Sequence, residues 1–169
     1  MAELWTVGHS THALDAFVTL LQAHGIETLA DVRRHPGSRR HPHFSADALA
    51  ASLPLEYQHL PGLGGRRRSA PDSPNTAWEN AAFRAYADYA LTDEFAAAVA
   101  ELRALAAAGR TAIMCSEGLW WRCHRRLVAD RLVAAGDVVH HIAPDGRTSP
   151  HALPPFARVR PDGAVVYPA

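Results

Sequence analysis

The chain has 169 residues, of which 17 are basic and 17 acidic, and because it contains no lysine every basic residue is an arginine. This length is typical of one domain with a buried core, and the formal net charge of zero excludes a global field that would recruit a polyanion. Without a membrane-spanning apolar stretch or a signal peptide, the sequence predicts one soluble cytoplasmic domain over residues 1–169 with no membrane partner.

The first part of the chain alternates strand and helix patterns. Gly25 stops an amphipathic run, and Ser45 is a typical helix N-cap. The predicted elements are a strand in 4–10, a helix in 11–25, a strand in 26–34, a helix in 45–53 and a strand in 55–65.

The second part continues this alternation after an irregular Arg-, Ser- and Pro-rich loop. Residues 81–109 are strongly helical, with a predicted break near Thr92. A strand in 111–115, a helix in 123–136, a strand in 137–142 and a weak hairpin around Asp162 and Gly163 follow. The order predicts an α/β fold: a single Rossmann-like domain with a mainly parallel sheet of about five strands and helices on both faces.

Polar and reactive residues follow the predicted strands. Because ligands of open α/β sheets bind outside the carboxyl ends of the strands, these residues predict one site at that edge. They are His9, Ser10, Asp31, Arg33, Gly64, Gly65, Cys115 and Glu117. As catalytic candidates we select Cys115, Glu117, Asp31 and His9.

The stretch 111–126, TAIMCSEGLWWRCHRR, holds both cysteines. Cys115 closes a predicted strand, and the following helix is predicted to carry Arg122, Cys123, His124 and Arg125 in its first turns. Helix N-termini and nearby cations lower the pKa of a thiol, so one expectation is that Cys115 is partly thiolate near neutral pH. The alternative is a buried core thiol with a raised pKa, and the sequence leaves the two open. Cys123 precedes Leu127 by one helical turn and is expected to be a core residue.

Arginines and acids share this edge. We expect Asp31 and Glu117 each to hold an arginine in a bidentate pair; the alternative is that one is a general base near His9. Residues 34–43 are predicted to form an ordered basic lip anchored by a buried Phe44. The expected substrate-binding residues are Ser10, Arg33, Arg39, Gly64, Gly65, Arg122, His124 and Arg125. The spacing of cysteines and histidines matches no recognised zinc motif, and the residues identify no cofactor.

Several motifs resemble one protein family. TVGHS, LADVRRHPGSRR followed by PHF, HLPGLGG and above all MCSEGLWWRCHRRLVAD are similar to the domain-of-unknown-function 488 family of bacteria and archaea. The resemblance implies one compact α/β domain and no settled activity. Its motif positions here are Gly8, His9, Ser10, Asp31, Arg33, Pro36, Ser38, Arg39, Phe44, Leu63, Gly64, Gly65, Cys115, Glu117, Cys123, His124 and Arg125. His41 departs from the family pattern, which has an asparagine there.

Several functions are compatible with these residues. The first is an enzyme or binding protein for a phosphate-bearing substrate, a nucleotide or nucleic acid, whose oxygens the arginines would bind. The second is rhodanese-like thiol or persulfide chemistry at Cys115, although its spacing to Arg122 is one residue longer than in a phosphatase loop. The third is a non-catalytic nucleic-acid-binding module, and a metal-binding module is a weaker fourth.

Overall fold

A computed structural model describes residues 1–37 and 39–169, so that Ser38 lies outside the described residues. A six-stranded sheet in the order β3-β2-β4-β1-β5-β6 forms its centre. The strands are β1 (Glu3–Gly8), β2 (Thr28–Asp31), β3 (Glu56–His59), β4 (Thr111–Cys115), β5 (Val138–Ile142) and β6 (Thr148–Pro150). The first five run parallel, and β6 pairs antiparallel with β5. A separate hairpin consists of β7 (Arg158–Val159) and β8 (Val165–Val166).

Helices cover both faces of the sheet. They are α1 (Leu14–Ala23), α2 (Ala46–Ser52), α3 (Ala81–Tyr89), α4 (Asp93–Ala108) and α5 (Arg125–Ala134). Successive strand residues point to opposite faces, so in β4 Met114 joins the core under α1 and α2, whereas Ile113 joins the core under α3, α4 and α5. The predicted α/β class, with a mainly parallel sheet between two helical layers, is therefore confirmed.

Local capping explains where several helices begin. The Ser45 hydroxyl accepts a hydrogen bond from the Ala48 N–H at 3.2 Å, and the Thr92 hydroxyl accepts one from Phe95 at 3.2 Å. The predicted break at Thr92 thus separates α3 from α4. The predicted hairpin around Asp162 and Gly163 is also present, and Gly163 has the positive φ of 89° that the turn requires.

The start of α5 differs from the prediction. Residues Trp120–Arg122 form a 3₁₀ turn, Cys123 is extended with φ of −128° and ψ of 152°, and α5 begins only at Arg125. Contacts outside the helix hold this loop in place. Trp120 stacks on His141 of β5 with ring centroids 4.2 Å apart, and the Arg125 guanidinium donates a hydrogen bond to the Glu117 carbonyl at 2.8 Å. Arg122 and Cys123 therefore precede the helix instead of lying in its first turns.

Register brings the ends of β1 and β4 side by side. Gly8 pairs with Cys115, and the His9 N–H donates to the Cys115 carbonyl at 2.9 Å. A Cβ atom at position 8 would overlap the Glu117 carbonyl group, so only glycine allows the chain after β4 to pass this closely. Across the described residues, the helices include none with the length and apolarity needed to cross a membrane.

Candidate functional site

A cleft of about 670 Å³ opens at the carboxyl edge of the parallel strands. The predicted site residues that line it are His9, Ser10, Arg33, Gly65, Cys115, Glu117, Arg122 and His124. The predicted residues outside its lining are Asp31, Arg39, Gly64 and Arg125. The carboxyl edge thus brings eight of the twelve predicted residues together in the cleft lining, and the functional roles assigned to them stay predictions.

Asp31 lies behind the cleft and is fully buried. Its two carboxylate oxygens accept from Arg33 Nε at 2.9 Å and Nη2 at 2.7 Å, which is the predicted bidentate pair. The Tyr57 hydroxyl donates to the same carboxylate at 2.6 Å, and burial followed by this carboxylate raises the pKa of Tyr57. With both oxygens occupied and the side chain outside the cleft lining, Asp31 positions Arg33, and this arrangement favours the expected pair over a general base.

His9 lies in the cleft wall in a defined protonation state. Its ring stacks on the buried Phe44 at 4.4 Å, so the anchor predicted for the segment 34–43 is present. Nδ1 donates to the Ser10 carbonyl at 2.9 Å, which leaves the Nε2 lone pair to accept from Arg33 Nη1 at 3.4 Å. Burial lowers the pKa of His9 to about 4, so the ring is neutral at neutral pH.

The two cysteines are in contact at the floor of the cleft. Their Sγ atoms are 2.7 Å apart, and both thiols are free and buried. Burial raises the pKa of Cys115 well above its usual value. Burial also opposes ionisation of Cys123, but hydrogen bonding with Cys115 and the charge of Arg125 outweigh it and lower the pKa of Cys123. These directions favour the buried-thiol alternative at Cys115. Cys123 is buried in the core as expected, and its pKa is shifted in the opposite direction.

His124 contacts Cys123 through a ring nitrogen. Its Nε2 donates to the Val32 carbonyl at 2.8 Å, and its Nδ1 lies 3.5 Å from Cys123 Sγ. Burial lowers the pKa of His124, so the neutral ring presents the Nδ1 lone pair to the thiol. A thiol next to a base that a third group orients is the arrangement of an activated nucleophile.

Arg125 completes this group, which we call the thiol cluster: Cys115, Cys123, His124 and Arg125. The Arg125 side chain is fully buried. Its Nη2 donates to the carbonyls of Glu117 at 2.8 Å and Gly118 at 3.2 Å, whereas Nε and Nη1 have no hydrogen-bond partner among the described residues. Arg125 is therefore buried outside the cleft lining, where its backbone N–H contacts the Cys123 thiol, and its predicted role in substrate binding stays a prediction.

Glu117 is the one carboxylate in the cleft lining. Its Oε1 accepts from the Leu119 N–H at 3.1 Å. Among the residues that the structure describes, Glu117 forms no ion pair, so the predicted bidentate partnership with an arginine is wrong at this position. The loop turns the carboxylate toward its own backbone because Arg125 binds the carbonyl of Glu117 instead of its side chain.

Four exposed arginines line the cleft, and the three of them with no side-chain hydrogen bond among the described residues, Arg40, Arg66 and Arg122, we call the rim arginines. Their side chains form no hydrogen bond or ion pair with any part of the chain that the structure describes. Arg34 lies beside them and donates to the Arg66 carbonyl at 2.9 Å. Arg39 is exposed but outside the lining, and Ser38 of the same segment lies outside the described residues.

The two glycines of the third strand's turn have different roles. Gly64 is buried, and its N–H donates to the Pro61 carbonyl at 2.9 Å, so this N–H is not available to a phosphate. Gly65 lines the cleft, where an added Cβ would lie 3.2 Å from His124 Nδ1. The predicted binding role of Gly64 is therefore not supported by its backbone N–H, and the small size of Gly65 leaves room for the histidine.

Sequence reasoning overlooked part of the lining. Arg40 and Arg66 belong to the basic clusters at 39–40 and 66–68 but were not selected as site residues. Phe83 and Tyr86 reach the cleft from α3. The basic run at 66–68 directly after a Gly-rich turn was the signal that pointed to Arg66. Within the described ranges, the His, Cys, Asp and Glu side chains form no group of three or more able to hold a metal ion.

One of the comparisons with known proteins found a match. Neither the curated proteins nor the solved structures include a match to the chain. The family model described as domain of unknown function DUF488 matches residues 13–132, which span β2 to β4 and most of α5 and include the thiol cluster. The chain therefore belongs to the DUF488 family, whose description names no activity.

Proposed function

We propose that the cleft binds a phosphate-bearing ligand, either a nucleotide or a nucleic acid. The observation that carries this proposal is the presence of the rim arginines at one cleft without side-chain partners among the described residues. Guanidinium groups match the geometry of phosphate oxygens and form strong charge-assisted hydrogen bonds with them. Their convergence at a concave surface favours an anion over a neutral substrate.

The charge balance of the cleft supports an anionic ligand. Arg33 has its charge offset by Asp31, but the rim arginines and Arg34 face only one carboxylate, that of Glu117, in the lining. A positive cleft on a chain of zero net charge concentrates anions locally without attracting them to the whole surface. The net charge of the chain therefore does not count against phosphate binding at this place.

Size and shape favour a ligand larger than inorganic phosphate. A volume of about 670 Å³ lies in the range of cofactor and nucleotide pockets, which is roughly 300 to 1,000 Å³. Phe83 is partly exposed in the wall and offers an aromatic surface on the same side as Tyr86. Nucleotide binding needs two elements, arginines that bind the phosphates and an aromatic surface on which the base stacks, and the cleft has both.

The test measures binding to the full chain by isothermal titration calorimetry and fluorescence anisotropy. The probes are a purine 5′-monophosphate, inorganic pyrophosphate and a fluorescein-labelled single-stranded oligonucleotide. We expect Arg122→Gln and Arg66→Gln each to weaken binding by roughly tenfold, since a hydrogen bond to a charged group contributes about 1.5 kcal/mol or more. Arg147→Gln is the matched control because Arg147 is exposed and is not part of the cleft lining.

Two outcomes would overturn the proposal. One is the absence of saturable binding for all three probes, and the other is an equal loss of affinity in Arg147→Gln and Arg122→Gln. The salt dependence separates the two ligand classes, because each phosphate neutralised on a nucleic acid releases counterions. A steep decrease in oligonucleotide affinity with salt, with weak mononucleotide binding, would identify nucleic acid as the ligand.

A further inference from the structure

The two cysteines form a pair that phosphate binding does not use. Cys115 ends β4, Cys123 lies just before α5, and the loop between them folds back so that the two Sγ atoms are 2.7 Å apart. A disulfide bond is about 2.05 Å long, so the sulfurs need to approach by only a fraction of an ångström to become bonded. The fold thus holds two free thiols in a position to exchange between the reduced and bonded forms.

The two thiols are not equivalent. Cys123 Sγ accepts a hydrogen bond at 3.5 Å from the backbone N–H of Arg125, the first residue of α5. His124 Nδ1 lies 3.5 Å from the same sulfur. Among the described residues, the further hydrogen-bond partner of Cys115 Sγ is the Glu117 carbonyl, at 3.5 Å. A backbone donor and a neutral imidazole base stabilise and generate a thiolate, so Cys123 is equipped to attack and Cys115 to follow.

Access to the pair is from the cleft. Both cysteines belong to its lining, and 6% of Cys123 and 2% of Cys115 remain exposed. A reagent entering the cleft therefore meets Cys123 more readily than Cys115. The order of exposure agrees with the order of polar contacts, although the two observations are independent.

We propose that Cys115 and Cys123 are a redox-active dithiol that reduces a low-molecular-weight disulfide. The Cys123 thiolate attacks one sulfur of the substrate disulfide, forms a mixed disulfide and expels the other half as a thiolate. Cys115 then loses its proton and attacks Cys123 Sγ, which releases the second half of the substrate. Two thiols of the protein are oxidised to one disulfide, the substrate disulfide is reduced, and the two protons of the cysteines end on the two product thiols.

The rim arginines would select among disulfides by charge. A disulfide that carries carboxylates, such as oxidised glutathione, would be held near Cys123, whereas neutral hydroxyethyl disulfide would not. This selectivity rests on the proposed anion binding, but the exchange between the cysteines does not. The two parts therefore have separate tests.

The exchange is tested by incubating the folded full chain with oxidised glutathione, followed by alkylation and intact mass measurement. We expect the wild type to lose both alkylatable thiols without retaining glutathione. Cys115→Ser should trap a mixed disulfide with glutathione at Cys123, and Cys123→Ser should trap roughly tenfold less or none, because its remaining thiol lacks the thiolate-stabilising contacts. Circular dichroism and the Cys115→Ala and Cys123→Ala variants control for misfolding.

The possible outcomes distinguish the dithiol proposal from the charge selectivity. Retention of two alkylatable thiols in the wild type, or trapping by Cys123→Ser in preference to Cys115→Ser, would overturn the dithiol proposal. Equal rates with oxidised glutathione and hydroxyethyl disulfide would leave the dithiol in place and overturn only the charge selectivity. An Arg122→Gln variant that slows the glutathione reaction but not the hydroxyethyl disulfide reaction would support both parts.

Discussion

Two buried polar groups of residues along α5 differ in how completely their atoms are partnered. One is the thiol cluster at the start of the helix. The other, which we call the histidine network, links Thr6, His141, His151, Asp130 and Tyr167 through hydrogen bonds of 2.6 to 2.8 Å. Asp130 accepts from both His151 and Tyr167, whereas two nitrogens of Arg125 have no partner among the described residues.

This difference in hydrogen bonding indicates the role of each group. A buried polar network in which each member is hydrogen-bonded stabilises one structure, and here it ties β1, β5, α5 and the C-terminal segment together. A buried cation with incomplete hydrogen bonding costs stability and is retained where it changes the chemistry of its neighbours. We therefore expect substitutions in the histidine network to act on folding and those in the thiol cluster to act on reactivity.

The largest effect on folding is expected at Asp130. Asp130→Ala leaves the His151 Nε2 and the Tyr167 hydroxyl buried without their acceptor, so the free energy of unfolding should fall by about 3 to 5 kcal/mol. Chemical denaturation measures the change. Asp145→Ala is the control, because Asp145 is exposed and pairs with Arg147 only at 3.7 Å. A loss of less than about 1 kcal/mol at Asp130 would contradict the stabilising role of the network.

Acid should weaken the fold through buried histidines of the histidine network and of the cleft. Burial lowers the pKa of His141 in the network to about 3 and that of His9 in the cleft to about 4, from 6.5. Below pH 6.5 the unfolded chain therefore binds more protons than the folded chain, and stability falls as the pH decreases toward the folded pKa values. Each histidine contributes a slope of up to about 1.4 kcal/mol per pH unit.

Denaturation curves between pH 7 and pH 5 test this expectation. His141→Gln and His9→Gln should each flatten the slope, whatever their effect on stability at pH 7. His35→Gln serves as the control because His35 is exposed. A slope unchanged in both variants would show that the buried histidines do not cause the acid sensitivity.

Removal of the buried arginine should separate stability from reactivity. Arg125→Met loses the hydrogen bonds to Glu117 and Gly118 but also removes two unpartnered nitrogens, so the free energy of unfolding should change by less than about 1.5 kcal/mol. Alkylation of Cys123 at neutral pH should slow by roughly tenfold, because the charge that lowers its pKa is gone. Mass spectrometry of peptides resolves the two cysteines.

Arg126→Met is the matched control for this variant, since the neighbouring side chain lies over Trp78 at 4.8 Å and not against the thiols. If Cys123 reacted at the same rate in Arg125→Met and in the wild type, the buried charge would have no part in activating the thiol. The contrast between the thiol cluster and the histidine network would then disappear.

The smallest effect is expected at Gly65. In Gly65→Ala the new Cβ would lie 3.2 Å from His124 Nδ1, which forces the imidazole to shift by a few tenths of an ångström. The free energy of unfolding should change by no more than about 1 kcal/mol, while Cys123 alkylation slows less than in Arg125→Met. Gly37→Ala is the control, because among the described residues other than its chain neighbours none has an atom within 4 Å of a Cβ at that position. Equal alkylation rates in both glycine variants would show that His124 does not assist Cys123.

Much of the site could be predicted because it depends on strand ends. Parallel strands place their carboxyl ends at one edge, so His9 after β1 and Cys115 at the end of β4 had to be neighbours once both strands were recognised. The pairing of Asp31 with Arg33 also followed from local sequence, because the two residues are only two positions apart at a strand end. The burial of Phe44 as an anchor also followed from local sequence.

Other features depended on contacts that no local pattern contains. The sequence could not decide between a thiolate and a buried thiol at Cys115, because the pKa of each sulfur depends on which one accepts from the N–H of Arg125 and faces His124. The pairing of Glu117 with an arginine failed because Arg125 binds backbone carbonyls instead. Both facts concern side chains that approach across the loop between β4 and α5, and their directions depend on packing around that loop.

The sequence by itself determined the α/β class, the alternation of elements and the edge of the sheet at which reactive residues gather. These follow from short-range causes: hydrophobic periodicity, capping residues such as Ser45 and Thr92, and the geometry of parallel strands. Only the tertiary structure decided the strand order β3-β2-β4-β1-β5-β6, the burial of Arg125 and the contact between Cys115 and Cys123. These depend on desolvation and on atoms brought together from distant strands, and such energies exist only once the chain has folded.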